Sequence, residues 1–352
     1  MSYTPFQAPL LGALLGDQEV AACFSVKAEL AAMLRFEAAL AQACAAHGFI
    51  PENAAGAIAV ICETFEPDLP AISAATARDG VCVPELVRQL REAAGEGGPH
   101  VHFGATSQDV TDTALVLRLR DVSAILSKRL DKIIAGLDAL ADRFGSNQLT
   151  GRTRMQAALQ ITVADRLGAW RAGVGEARER LDTTFEAMNR LQFGGPVGTL
   201  DKFGGKAQLV SADMAEALDL LNPPRNWHAN RVATADLASS LSIVTGSLGK
   251  IGQDIALMAQ NEIGEIELSG GGESSAMPHK QNPVLAEALV TLARFNATLV
   301  SGMHQSLVHE QERSGSAWML EWMILPQMCV AAGAATRDMA SLLENVGALG
   351  SS

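Results

Sequence analysis

From Thr113 onward, apolar residues fall at steps of three and four: Leu115, Leu119, Val122, Leu126, Leu130, Ile133, Leu137, Leu140 and Phe144. Positions that stay in phase for so long predict one long amphipathic helix. The run Leu237, Leu241, Val244, Leu248, Ile251, Ile255 and Met258 predicts a second. Three more are expected over 155–191, 283–312 and about 317–346. A helix of about 30 residues is about 45 Å long, beyond the usual globular length, so each needs lateral partners. The second run also carries small residues around its stripe, Ala233, Ala238, Ser239, Ser240, Ser242, Gly246, Ser247, Gly249 and Gly252, which admit close neighbours on several sides. Little strong charge lies on it, so association between subunits is expected.

The first hundred residues are broken by Pro and Gly. Val26 to His47 reads as a helix closed by Gly48 and followed by Pro51, and Val83 to Ala94 as a short helix leading into the Gly-rich stretch Gly95 to Pro99. The expected fold class is all-α, with a small N-terminal helical domain over 1–110 and a long five-helix bundle over 111–352. Composition agrees: hydrophobic residues make up 48%, but aromatics only 5%, with a single Tyr, which is poor material for sheets.

The net charge of −12 argues against a nucleic-acid partner, which would call for a basic stripe. No apolar run reaches the roughly 18 to 20 residues of a membrane span, and MSYTPFQAPL lacks the features of a secretory signal. A cytoplasmic protein without a membrane partner is expected. Cys23, Cys44, Cys62, Cys82 and Cys329 are scattered without C-x-x-C spacing and read as small buried apolar residues. His100 and His102 form an H-x-H pair with no further ligand at sensible spacing, so no metal is expected.

The most informative stretch is Ser269 to Pro283, SGGGESSAMPHKQNP. Asn282 suits an N-cap and Pro283 the first helical position, so a helix is expected to turn its positive end toward this polar loop. Lys280 adds a full charge and the serines add hydroxyls. An anion is expected here.

The order S-S-x-M-P-x-K-x-N-P resembles the signature of the fumarase/aspartase superfamily. Gly104 to Thr113, GATSQDVTDT, is similar to the first shared region of that superfamily, and Gly151 to Ala157, GRTRMQA, to the second. In amine-releasing members the second region reads G-R-T-H, with a His that helps protonate the leaving group. Here that position is Arg154. A guanidinium cannot shuttle a proton near neutrality but clamps a carboxylate through paired hydrogen bonds, so amine elimination is disfavoured.

His309 to Trp322, HEQERSGSAWMLEW, with Leu325-Pro326 after it, and Ala31 to Pro51 look more like the cycloisomerase branch. The chain stops about where the bundle ends, so the usual C-terminal helical domain is expected to be missing. The resemblance implies a homotetramer with sites shared between subunits, a small polycarboxylate substrate and no cofactor. It implies cofactor-free lactonisation of 3-carboxy-cis,cis-muconate to 4-carboxymuconolactone in protocatechuate catabolism. The rivals are the same reaction on a 3-sulfo analogue, an adenylosuccinate- or argininosuccinate-type lyase, and a catalytically silent helical scaffold.

It also implies roles. Ser274 would transfer the proton at the α carbon, with Ser275 as the alternative. Lys280 and Asn282 would neutralise and orient carboxylate oxygens. Thr106 and Ser107 would bind another carboxylate, and Arg154 a third. Thr106, Ser107 and Asp109 equally suit the N-cap of the helix that follows. His102 stands where lyases carry a working His, with a structural role as the alternative. Gln156, His228, Arg231, Glu312 and Arg313 are weaker site candidates, with solvated or intersubunit polar roles as the alternative.

Overall fold

The structure is a computed structural model and describes residues 4–270, 272–273, 277 and 281–351. After two short helices, α1 (Gly12–Leu15) and α2 (Gln18–Ala22), the N-terminal part builds α3 (Val26–Ala46), α4 (Glu52–Thr64), α5 (Leu69–Asp79) and α6 (Val83–Ala93). Helix α3 ends as its sequence demands, with Gly48 in the left-handed region at φ 78°. Five long helices follow: α7 (Ser107–Phe144), α8 (Val163–Met188), α10 (Val232–Met258), α11 (Val284–Gln305) and α12 (Ser316–Glu344), with the shorter α9 (Ala207–Leu218) between the second and third.

All the stripe positions expected on α7 from Leu115 to Leu140 are buried, as is the whole stripe of α10. The start of α7 differs from the pattern-based expectation. It lies at Ser107, six residues before Thr113, because Gln108, Asp109 and Asp112 are polar yet buried and break the apolar rhythm. The division expected near residue 110 thus falls in the first turn of α7.

A larger correction concerns 155–162, expected as helix. Here β1 (Gln148–Thr153) and β2 (Gln156–Thr162) form an antiparallel hairpin, and α8 begins only at Val163, behind the Thr162–Asp165 capping pair. Two further antiparallel pairs are small: β3 (Ile266–Leu268) with β6 (Val346–Leu349), and β4 (Gly272–Glu273) with β5 (Gln281–Asn282).

The long helices alternate in direction, and contacts between their ends fix two poles. At one pole, Ala164 N–H donates to Gly145 O, Arg166 reaches Met258, and a Cβ at Gly136 would meet Leu343. At the other, Gly194 joins Asp109, and Arg231 joins Asp112 and Glu321. A helix of 38 residues measures about 57 Å, which sets the distance between the poles.

The small residues of α10 do what their size permits. A Cβ at Gly249 would stand 2.5 Å from Ala293 Cβ, and one at Gly252 would stand 2.7 Å from Ala286 O, so α10 and α11 are in near-backbone contact. Gly246 meets nothing within 4 Å, and Ile243 beside it is exposed. Among the described residues, α11 is the one helix long and apolar enough to cross a membrane. Its Leu289 and Leu292 are buried in the bundle, and its Asn296 donates to Met328 O of α12.

Candidate active site

The first motif folds into the start of α7. Thr106 is the N-cap, and Asp109 accepts its backbone N–H at 3.0 Å, so the helix-cap reading of these residues holds structurally. Asp109 does more than cap. It is fully buried and also accepts from Gly194 N–H at 2.8 Å, Gly195 N–H at 2.9 Å and His228 Nε2 at 2.7 Å. Four donors satisfy a carboxylate taken out of water, and they pin the turn 194–198 against the motif. Side chains at Thr106 and Ser107 remain half-buried at the helix mouth.

One turn further on, Arg231 lies 1% exposed between two carboxylates. It donates to Asp112 at 2.7 and 3.2 Å and to Glu321 at 2.9 Å and through a second short bond. Burial alone would lower its pKa, but Asp112 and Glu321 reverse this and hold the guanidinium firmly charged. Asp112 also accepts from Trp318 Nε1, Gln108 and Gln192. Arg313 joins the same network, donating to Gln108 Oε1 at 3.0 Å and to Pro196 O at 3.1 Å. Thus α7, the start of α10, the start of α12 and the loop before it are locked around one buried ion cluster. His309 approaches Glu321 at 3.8 Å, and neither of its ring nitrogens has a hydrogen-bond partner among the described residues.

His102 sits beside the same mouth, in the left-handed region at φ 61°. Its Nδ1 lies 2.6 Å from Oε1 of buried Glu37 on α3. Burial would lower its pKa, but the charge and hydrogen bond of Glu37, with Asp109 beyond, hold it above the ordinary imidazole value. A raised histidine pKa stabilises the fold fully below the unfolded value, and that contribution disappears as pH rises through the folded value. We therefore expect the stability difference between wild type and His102→Gln, read by urea unfolding between about pH 6 and about pH 9, to be largest at the acidic end. A difference independent of pH would contradict the pairing.

The second motif is at the opposite pole. Thr153 pairs with Gln156, so Arg154 and Met155 are the two loop residues of the hairpin. Both have positive φ, 48° and 66°. Such turns normally take Asn-Gly, and each ordinary side chain in this region costs about 1 to 2 kcal/mol. Held strain of this kind clusters at functional sites. Arg154 and Met155 line a cavity of about 310 Å³ with residues of α8, α10 and the segment after α10. Gln156 is exposed at the start of β2.

The third motif begins at this same pole, between α10 and α11. Ser274, Ser275 and Lys280 lie outside the described residues. Asn282 is described, and it corrects the N-cap expectation: it belongs to β5 opposite Gly272, while Pro283 occupies the cap position and α11 starts at Val284. The physical reason is that the Asn282 backbone is held extended by the strand pairing. Pro283 itself offers no side-chain bond to cap α11. The five cysteines are free, and burial pushes the Cys44 and Cys62 thiols up to about 12, which keeps them unreactive near neutrality.

The structure thus brings His102, Thr106, Ser107 and Arg313 together at one pole, and Arg154, Gln156 and Asn282 at the other. Within one chain these groups stand tens of ångströms apart. Pattern reading gave His228 and Arg231 only minor weight and missed Asp112, Glu321 and Glu37. A signal was present for two of them: Asp112 and Glu321 interrupt otherwise apolar runs, VTDTALVL and AWMLEWMIL.

The Lyase family model matches residues 17–297. The 3-carboxy-cis,cis-muconate cycloisomerase of Pseudomonas aeruginosa is 39% identical over 332 residues, 92% of this chain and 72% of that protein. Its counterpart from Bradyrhizobium diazoefficiens is 36% identical over 346 residues, 96% of this chain and 77% of that protein. Among solved structures, the 3-carboxy-cis,cis-muconate lactonizing enzyme of Pseudomonas putida superposes with a TM-score of 0.90 at 36% identity, covering 96% of this chain and 77% of that one.

Proposed function

Because the chain belongs to the lyase family of the fumarase/aspartase superfamily, we propose that it catalyses the lactonisation of 3-carboxy-cis,cis-muconate. The observation that carries this reading is Arg154. It stands where amine-releasing members place a proton-donating His, in a chain 39% identical to a cycloisomerase. A fixed cation suits a reaction that expels no amine and begins and ends with a polyanion.

One substrate carboxylate oxygen attacks the molecule's own double bond. The new C–O bond closes a five-membered ring, and the displaced π pair moves onto the activating carboxylate as an enediolate. Return of that pair to the α carbon takes up one proton, so the product is an isomer of the protonated substrate. Preorganised donors around the developing charge supply the largest catalytic term, about 3 to 4 kcal/mol for each donor. Ser274 is the proton donor in this reading, with Lys280 and the N-terminus of α11, whose N-cap Pro283 offers no side-chain bond, stabilising the anion. Asn282 and Arg154 hold carboxylates, with Gln156 beside them. Thr106, Ser107 and Arg313 bind from the other pole, and His102, backed by Glu37, assists there in proton transfer or binding.

Since the two groups cannot meet within one chain, the working site is assembled between subunits of a homotetramer. Two features support this: the open Ile243–Gly246 face of α10, and the largely uncovered outer side of α11. We place the enzyme in the cytoplasm, acting on a small polycarboxylate without nucleic-acid or membrane partners.

The test is spectroscopic. The purified protein is mixed separately with 3-carboxymuconate and with adenylosuccinate, and ultraviolet absorbance is followed. Loss of the muconate chromophore alone is expected. Fumarate release from the succinyl substrate would overturn the reading, and silence with both would leave only a scaffold.

A further inference from the structure

The cavity behind Arg154 holds four cations, Arg152, Arg154, Arg166 and Lys250, against two carboxylates, Asp254 and Glu265. This cationic excess occurs in a chain of net charge −12. The carboxylates are already committed. Glu265 accepts from Arg152 at 2.7 and 2.8 Å, and Asp254 takes Lys250 along with the indole N–H of Trp170. Among the described residues, neither Arg154 nor Arg166 makes an ion pair. The only hydrogen-bond partner of Arg166 there is a soft one, Met258 Sδ at 3.5 Å.

Two unneutralised guanidinium groups facing one partly enclosed space repel each other until an anion enters. The strained turn at Arg154–Met155 keeps one of them at the rim, and α8 holds the other on its first turns. Planar forks of this type bind a carboxylate or a sulfonate through paired bonds.

We propose that Arg166 is a specificity-determining residue, which with Arg154 forms a two-guanidinium subsite for one carboxylate of a small polycarboxylate. This deepens the functional reading above and rests on its substrate class. Arg166 selects substrates carrying the additional carboxyl over those that lack it.

The assembled protein is titrated calorimetrically with propane-1,2,3-tricarboxylate, an unreactive polyanion, and with glutarate, the same chain without its central carboxyl. Wild type is expected to prefer the tricarboxylate by at least about ten-fold. In Arg166→Gln, tricarboxylate affinity falls by about 10- to 100-fold while glutarate changes by less than about two-fold. Arg166→Lys restores part of the loss, because it returns the charge without the fork. Equal weakening of both ligands in Arg166→Gln, no weakening of either, or no binding by wild type would each overturn the subsite.

Turnover of 3-carboxymuconate by wild type is measured alongside. Turnover with unchanged discrimination in Arg166→Gln refutes the subsite and spares the reaction. Discrimination that depends on Arg166 without turnover supports the subsite and refutes the reaction.

Discussion

Ser274→Ala is expected to lower kcat on 3-carboxymuconate by about 1,000-fold, within the range for losing a positioned proton donor, while the oligomeric state and the unfolding midpoint stay unchanged. A serine hydroxyl is a weak acid, so the effect depends on its surroundings. In the proposed reading Lys280 and the first-turn N–H groups of α11, whose N-cap Pro283 offers no side-chain bond, stabilise the anion formed as the proton leaves. The change removes one oxygen from a Gly- and Ser-rich stretch of sequence and adds no bulk, so folding is expected to be spared. KM should move little, because in the proposed reading the hydroxyl acts on the reacting carbon in the transition state. A variant retaining most of its turnover would remove Ser274 from the chemistry and leave Ser275 as the donor.

Arg231→Met is expected to destabilise the protein by about 3 to 5 kcal/mol, the usual result of removing one partner from a buried ion pair. Asp112 and Glu321 are both 1% exposed, so neither can recover its solvation in water. The indole of Trp227 also loses the guanidinium stacked 4.7 Å from its centroid. Because Asp112 anchors the second turn of α7, the mouth at Thr106 and Ser107 loosens too, and activity falls with stability. Arg171→Ala, which breaks a half-exposed pair with Asp138, should cost less than about 1 kcal/mol. Urea unfolding midpoints compare the two directly, and similar small losses for both would show that the cluster is not the clamp described here.

Much of this was readable in the residues. The α7 stripe from Leu115 to Leu140 gave the longest helix almost to its end, since nothing but burial of one face explains that rhythm. The three motifs were recognisable by their order of Gly, Ser, Thr and charged residues. What escaped notice has definite causes. The strand 156–162 reads as the start of a helix because the hairpin turn is Arg154–Met155 instead of Asn-Gly, and only the backbone reveals the positive φ values. Helices α4, α5 and α9 are short, and no long apolar rhythm marked them. The Asp112–Arg231–Glu321 cluster joins residues 119 and 90 positions apart, a pairing that no local pattern encodes. Nor could spacing reveal that Thr106 and Arg154 stand at opposite poles, since that follows from the straight course of α7.

Subunit mixing tests most directly whether one working site draws on more than one chain. Ser274→Ala and the double variant Thr106→Val, Ser107→Ala are each expected to be nearly inactive, one damaged at each pole. Dissociated, combined in equal amounts and reassociated, they should form sites that take each pole from an intact subunit, recovering about one quarter of wild-type activity by random assortment. Activity that stays at the average of the two parents, in tetramers shown to have exchanged subunits, would contradict assembly of the site across chains.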